Sequence, residues 1–182
     1  MKKPLAESLK EIGLAHADIG HFAMSHSHGD HSGNANLFGA ATLYMQQAEH
    51  DAVFGAEPQK YNFVAANFER LRGAKTVRLN GDHDVFGDRS LLIKAAPGHT
   101  PGHQVLVVRL PKSGPVMLSG DMVHLVYSWE KSIVPSFNFD VPRSRRTIEE
   151  MKAYAIANGA RLWVNHDREQ HLAIPKAPQH VE

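Results

Sequence analysis

Within six residues, His26-Ser27-His28-Gly29-Asp30-His31, this chain sets four side chains able to bind a metal: His26, His28, Asp30 and His31. Neither a regular helix nor a regular strand points all four one way, because side chains follow a period of 3.6 or 2. The run therefore belongs to an irregular loop, and Gly29 is expected to supply its backbone freedom. A single histidine in a polar loop is ordinarily just solvated. Four metal-competent groups in one loop favour metal binding instead.

Three later positions have the same character. His99 lies in the turn-rich segment Pro97-Gly98-His99-Thr100-Pro101-Gly102-His103, straight after the strand expected at 91–95. Asp121 follows Ser119-Gly120 at the end of an expected strand 116–118, and His166 follows the strand expected at 161–165. Each alone is compatible with a strand-terminal polar residue that satisfies local backbone groups. Together they offer ligands from three separate strand ends, as a two-metal site requires. The chain has no cysteine, so disulfides and thiolate zinc sites are excluded. Imidazole with carboxylate suits zinc and other divalent first-row metals.

The rest of the chain reads as alternating elements. Apolar spacing predicts helices over 4–13 and 61–71 and one beginning near Gln47, with strands at 21–24, 42–45, 76–79 and 105–110. The stretch 121–142 reads as an extended surface loop. Ser144, or Thr147 paired with Glu150 as a capping box, is expected to start a helix that stops at Gly159. Interleaved strands and helices with polar ligands at strand ends imply an α/β architecture whose site lies at strand C-terminal ends.

The length of 182 residues suits a single domain over 1–182. The net charge of +1 and the lack of a Lys/Arg block argue against nucleic acid or a membrane surface as partner. Arg143, Arg145 and Arg146 read as a solvated first turn of a helix. The start, Met1-Lys2-Lys3 and polar helix-like sequence, reads as neither a signal peptide nor an anchor, and the compartment stays open.

The order HxHxDH, then His99, Asp121 and His166, resembles the metallo-β-lactamase-fold superfamily of hydrolases over about residues 15–172. The resemblance implies an αββα sandwich with the site along one edge of its two sheets. It assigns His26, His28 and His99 to one metal, Asp30, His31 and His166 to a second, and Asp121 to both. It also implies two zinc ions per chain, since relatives with a carboxylate at the position of His28 favour di-iron. A water shared by two zinc ions would lose its proton near a pH of about 7 and attack a carbonyl or phosphoryl centre. Asp30 is expected to orient it and to accept or relay the proton.

Within the superfamily, Asn165-His166-Asp167-x-Glu169-Gln170 and the long insert after Asp121 look most like the N-acyl-homoserine-lactone lactonase branch. That branch places a substrate-binding Tyr three residues after the bridging Asp; here the position is His124, and Tyr127 lies three further on. His124 either replaces that Tyr as a catalytic donor or faces solvent. Gly120-Asp121-Met122-Val123-His124 is also similar to the organophosphate-hydrolysing branch. Tyr127, Trp129, Phe137 and Phe139 either line an apolar substrate pocket or pin the insert onto the sandwich. Asp167 is expected to hold a neighbouring group or to sit in an exposed turn, and His103 to stabilise its loop rather than bind metal.

The resulting expectation is a zinc-dependent hydrolase that opens a lactone or cleaves a related ester, with a small-molecule substrate. The alternatives are other hydrolases of the same fold, acting on organophosphates, thioesters or β-lactams, or a shortened metal-binding domain without catalysis. Only 25 residues precede His26, fewer than relatives carry. The chain is therefore either shortened, without the first strands of one sheet, or reduced. An exposed sheet edge would then favour a homo-oligomer.

Overall fold

Alternation along each strand decides which layer its side chains meet. In the computed structural model, which describes residues 3–182, helix α1 (Leu5–Glu11) precedes strand β1 (His21–Ala23) and the one-turn helix α2 (Gly29–Ser32). Strand β2 (Thr42–Gln46), helix α3 (Gln47–Phe54) and strand β3 (Thr76–Leu79) follow, and β1-β2-β3 form a parallel three-stranded sheet. The second sheet runs β4 (His83–Asp84), β5 (Leu91–Ala95), β6 (Gln104–Leu110), β7 (Gly114–Leu118) and β8 (Arg161–Trp163). Its first four strands are antiparallel, and β8 lies parallel to β7. Met1 and Lys2, part of the polar start, lie outside the described residues. Among the described residues no helix is long and apolar enough to cross a membrane.

Leu43 and Met45 of β2 face one way, onto Ala52, Val53, Phe63, Phe68 and Leu71; Tyr44 faces the other, onto Leu79 and Ile93 between the sheets. On the far side of the second sheet, Val105, Val107 and Met117 pack against Ile148, Met151 and Ala155 of helix α5 (Val141–Asn158). The layers are thus helix, sheet, sheet, helix: the αββα sandwich the resemblance implied.

Three local expectations change. The apolar spacing over 61–71 reports burial rather than one α-helix. Asn62 takes a left-handed φ of 58°, Phe63 bridges His28, and short 3-10 turns flank them at Pro58–Tyr61 and Ala65–Leu71. The stretch 121–142 is not all loop, since it holds helix α4 (Val126–Lys131). Helix α5 starts earlier than Ser144 or Thr147. Asp140 caps it by accepting from the Arg143 amide at 2.7 Å, and Pro142 occupies its first turn. Thr147 instead donates its hydroxyl to the Pro97 carbonyl. The stop at Gly159 holds, with φ 61°.

One buried side chain ties the two sheets together at the end that carries the conspicuous loops. The Gln104 amide donates to the carbonyls of Met24 and Tyr44, and its backbone N–H donates to Ser25. The chain leaving β1 is thereby fastened to the second sheet just before His26. Beside this point the edge of β1 borders a cavity of about 170 Å³ whose apolar walls include Ala23, Met24, Ile93, Leu106 and Leu118.

Candidate metal centre

The loop after β1 converges because α2 supplies one helical turn, placing His31 three residues beyond its N-cap His28. Gly29 is not what permits this. It avoids the left-handed region, and a Cβ there would meet only Val64 at an ordinary 3.6 Å. The glycine the site does require is Gly120, with φ 51°. A Cβ at that position would fall 2.4 Å from Ser25 Cβ and 2.7 Å from His103 Nε2.

The strand ends bring together every position expected to ligate. Donor atoms of His26, His28 and His99 lie within 4.8 Å of one another, as do those of Asp30, His31, Asp121 and His166. Asp121 joins the two groups: its Oδ1 is 3.0 Å from His31 Nε2 and 3.1 Å from His166 Nε2, while its Oδ2 is 3.5 Å from His99 Nε2. His124 stands over the same carboxylate, with Nε2 3.3 Å from Oδ2, and its ring stacks on His166. Asp30 Oδ2 approaches His31 and His166 at 3.4 and 3.5 Å from the solvent side.

Hydrogen bonding decides where the imidazole lone pairs point. His28 Nε2 faces the Tyr61 carbonyl at 3.1 Å, so it carries the proton and leaves Nδ1 bare. His99 Nδ1 faces Asn138 Oδ1 at 3.0 Å, so it too carries the proton and leaves Nε2 bare. The two bare nitrogens, His28 Nδ1 and His99 Nε2, lie 3.0 Å apart with no proton between them in the neutral rings. Buried Asp121 Oδ1 likewise has no hydrogen-bond partner despite two imidazole nitrogens near 3 Å. Convergent lone pairs and an orphaned carboxylate oxygen are satisfied together by a cation, and the donor set suits zinc.

The electrostatics favour that state of the ligands. Burial first, then neighbouring imidazoles, holds His26 well below its ordinary value. Burial is also the chief cause that brings His99 down to about 4, opposed by its Asn138 bond. Burial would push Asp121 up, but the surrounding imidazoles, His124 and His31 first, hold it far below the usual carboxylate range. Neutral His26 and His99 beside an ionised Asp121 are protonation states that metal ligation needs. His31 differs: burial would lower it, but its bond to Asp121 and the neighbouring carboxylate charges raise it.

Two flanking groups hold the loops in place. His103 is fully buried and brought down to about 3, mainly by burial. Its Nδ1 donates to the Ala96 carbonyl and its Nε2 accepts the backbone N–H of Asp121 at 3.0 Å, so it fastens the loop as expected. Glu49 on α3 was not singled out by sequence. It is 1% exposed, and its carboxylate accepts from the Ser27 N–H at 2.9 Å, the Thr100 hydroxyl at 2.7 Å and the Gly102 N–H at 2.9 Å. It thereby joins the His26–His31 loop to the His99 loop. Only its burial marks it, and neither spacing nor neighbours revealed that.

Of the aromatic residues on the insert, Phe137 and Phe139 reach the site. With Lys60, Tyr61 and Pro101 they wall a cavity of about 80 Å³ that opens onto His28 and His99. Lys60 and Tyr61 carry no sequence signal for this. Tyr127 is exposed on α4 and is not among those walls, while Trp129 packs against the core beneath α5. Asp167 caps helix α6 (Arg168–Ala173) through the Gln170 N–H and also accepts the Val126 N–H, which holds the start of α4.

The profile described as "Metallo-beta-lactamase superfamily" matches residues 2–157. N-acyl homoserine lactonase AttM of Azorhizobium caulinodans is 31% identical over 181 residues, covering 96% of this chain and 68% of the relative. AttM of Rhizobium radiobacter is 32% identical over 180 residues, covering 95% and 67%. Among solved structures, an N-acyl homoserine lactone hydrolase with N-hexanoyl-L-homoserine bound at its catalytic metal centre superposes with a TM-score of 0.85. It is 25% identical and covers 97% of this chain and 67% of its own.

Proposed function

Because this chain belongs to the metallo-β-lactamase superfamily and is a metal-dependent hydrolase, we propose that it uses two zinc ions to open the lactone ring of N-acyl homoserine lactones. The observation that carries the reading is the continuous donor set around Asp121, with bare imidazole nitrogens on one side and Asp30, His31 and His166 on the other. His26, His28 and His99 would hold one zinc, Asp30, His31 and His166 the other, and Asp121 both. Zinc ions held there would polarise a carbonyl oxygen and make an activated water available near neutral pH.

The chain's own groups do the rest. Asp30 is the exposed carboxylate of the set and accepts or relays the proton released as the ring opens. His124, beside Asp121 and His166, takes the place from which a donor reaches the substrate oxygen. Phe137 and Phe139, with Tyr61, would give the acyl chain an apolar wall next to His28 and His99 and so orient its ester group toward the donor set. Tyr127, exposed on α4 and outside that cavity, is given no part in binding the acyl chain.

Elemental analysis followed by lactone turnover on the same sample tests the reading. About two zinc per chain with opening of a medium-chain acyl-homoserine lactone is the expected result. Two metals without lactone opening would remove the substrate assignment and direct assays to phosphotriesters, thioesters and β-lactams. No bound metal would remove the mechanism.

The open edge of β1 and the apolar cavity beside it favour self-association. Sedimentation should show a dimer or larger species, and a monodisperse monomer would refute this.

A further inference from the structure

The segment that walls the proposed substrate cavity is bonded to a candidate metal ligand at two points and to the residue before it at a third. Phe139 N–H donates to the His99 carbonyl at 3.2 Å, Asp140 N–H donates to the Gly98 carbonyl at 2.9 Å, and Asn138 Oδ1 accepts from His99 Nδ1 at 3.0 Å. Asn138 is itself fixed. Its Nδ2 donates to Ser144 Oγ at 2.9 Å, and the Ser144 hydroxyl is committed as a donor to the Asp140 carbonyl at 2.8 Å. With that hydroxyl acting as acceptor, the amide can turn only its oxygen toward His99. Asn138 and Ser144 are both buried, so water does not compete for these bonds.

This relay has one chemical consequence. It keeps the proton of His99 on Nδ1 and leaves the bare Nε2 facing His28 Nδ1 and Asp121 Oδ2. A reversed amide would offer N–H groups to Nδ1 and favour the tautomer whose Nε2 is protonated and cannot ligate. The same segment carries Phe137 and Phe139, so cavity wall and ligand tautomer depend on one backbone.

We infer that Asn138 is a positioning residue: through Ser144–Asn138–His99 the insert that forms the substrate cavity sets the affinity of one metal position. The inference rests on the proposed two-zinc reading of the site. Since His99 belongs with His26 and His28, only the zinc they share is affected, and the zinc at Asp30, His31 and His166 is not.

The test is zinc affinity of the full chain by chelator competition, with stepwise constants for the two equivalents, on Asn138→Leu, Asn138→Asp and Ser144→Ala. Asn138→Leu keeps the volume and loses both bonds; one zinc should loosen about 10- to 100-fold while the other stays within about twofold. Asn138→Asp keeps an acceptor for Nδ1–H and should return the weakened zinc to within about threefold of the wild type. A residue that merely filled space would show neither the selectivity for one zinc nor the rescue. If Asn138→Leu does not fold, Ser144→Ala carries the test: a loosened single zinc supports the relay, and two unchanged affinities overturn it. Wild-type protein binding two zinc ions, with Asn138→Leu folded and both affinities unchanged, would overturn this inference and leave the two-zinc reading standing. Wild-type protein binding no zinc would overturn both.

Discussion

Replacing Asp121 by Ala should lower lactone kcat/KM by on the order of 10³-fold or more and take zinc content below two per chain. Its two oxygens face different partners, His31 and His166 at Oδ1 and His99 and His124 at Oδ2, and no other carboxylate in the site is buried. Without it, the imidazoles of His26, His28, His31, His99 and His166 would surround a space in which the exposed Asp30 is the remaining carboxylate. The backbone N–H of residue 121 keeps its bond to His103, so the loop itself should hold. The loss should therefore appear in elemental analysis and steady-state rates, with little change in circular dichroism. Activity within tenfold of wild type, with both zinc ions retained, would show that Asp121 does not bridge.

The largest expected effect on stability comes from Glu49, which touches none of the ligating atoms. Glu49→Leu removes the acceptor from two backbone N–H groups and one hydroxyl, all buried, at a cost of roughly 1–3 kcal/mol each. Relaxation and leaked water will recover part of that, so a loss of about 3–5 kcal/mol is expected, a large share of ordinary domain stability. For a chain of this size that corresponds to a fall in Tm of roughly 10 °C or more. Thermal melts and urea midpoints of the two proteins measure it directly. A Tm within about 3 °C of wild type would mean that the His26 and His99 loops hold together without this carboxylate. Burial raises the Glu49 carboxyl against the pull of its hydrogen-bond donors, from Thr100 first, so desolvation already costs this group something in the native state.

Both variants act on the same construction from different distances. Asp121 is where the two groups of donors meet; Glu49 holds the two loops that carry His26, His28 and His99, and with them Asp30 and His31. Gly120 shows how little room the arrangement leaves, because its lack of a Cβ lets Asp121 follow directly behind Ser25 and His103.

The metal-competent residues were legible in the sequence because ligation limits side-chain chemistry: His and Asp at strand ends, in short turn-rich loops, stand out against apolar strands. The strands were legible for the same kind of reason, since a half-buried or buried strand must keep an apolar face over successive residues. Where the signal was burial alone it misled, as at 61–71, where Phe63, Phe68 and Leu71 are buried from two 3-10 turns and an extended link. Ser144 and Thr147 look like caps of α5 locally, yet Ser144 donates back to the Asp140 carbonyl within the first turn and Thr147 reaches Pro97 across the fold.

What only the tertiary structure decided is everything that depends on contacts between distant segments. Glu49 is one of many glutamates until Ser27, Thr100 and Gly102 close around it. Asn138 is one polar residue between two phenylalanines until His99 reaches it from 39 positions away. Phe137 and Phe139 become cavity walls, and Tyr127 does not, through the path of the insert after α4. Which side chains are able to bind a metal is a property of their chemistry, which the sequence states outright. Their orientation comes from hydrogen bonds that long-range packing alone brings within reach.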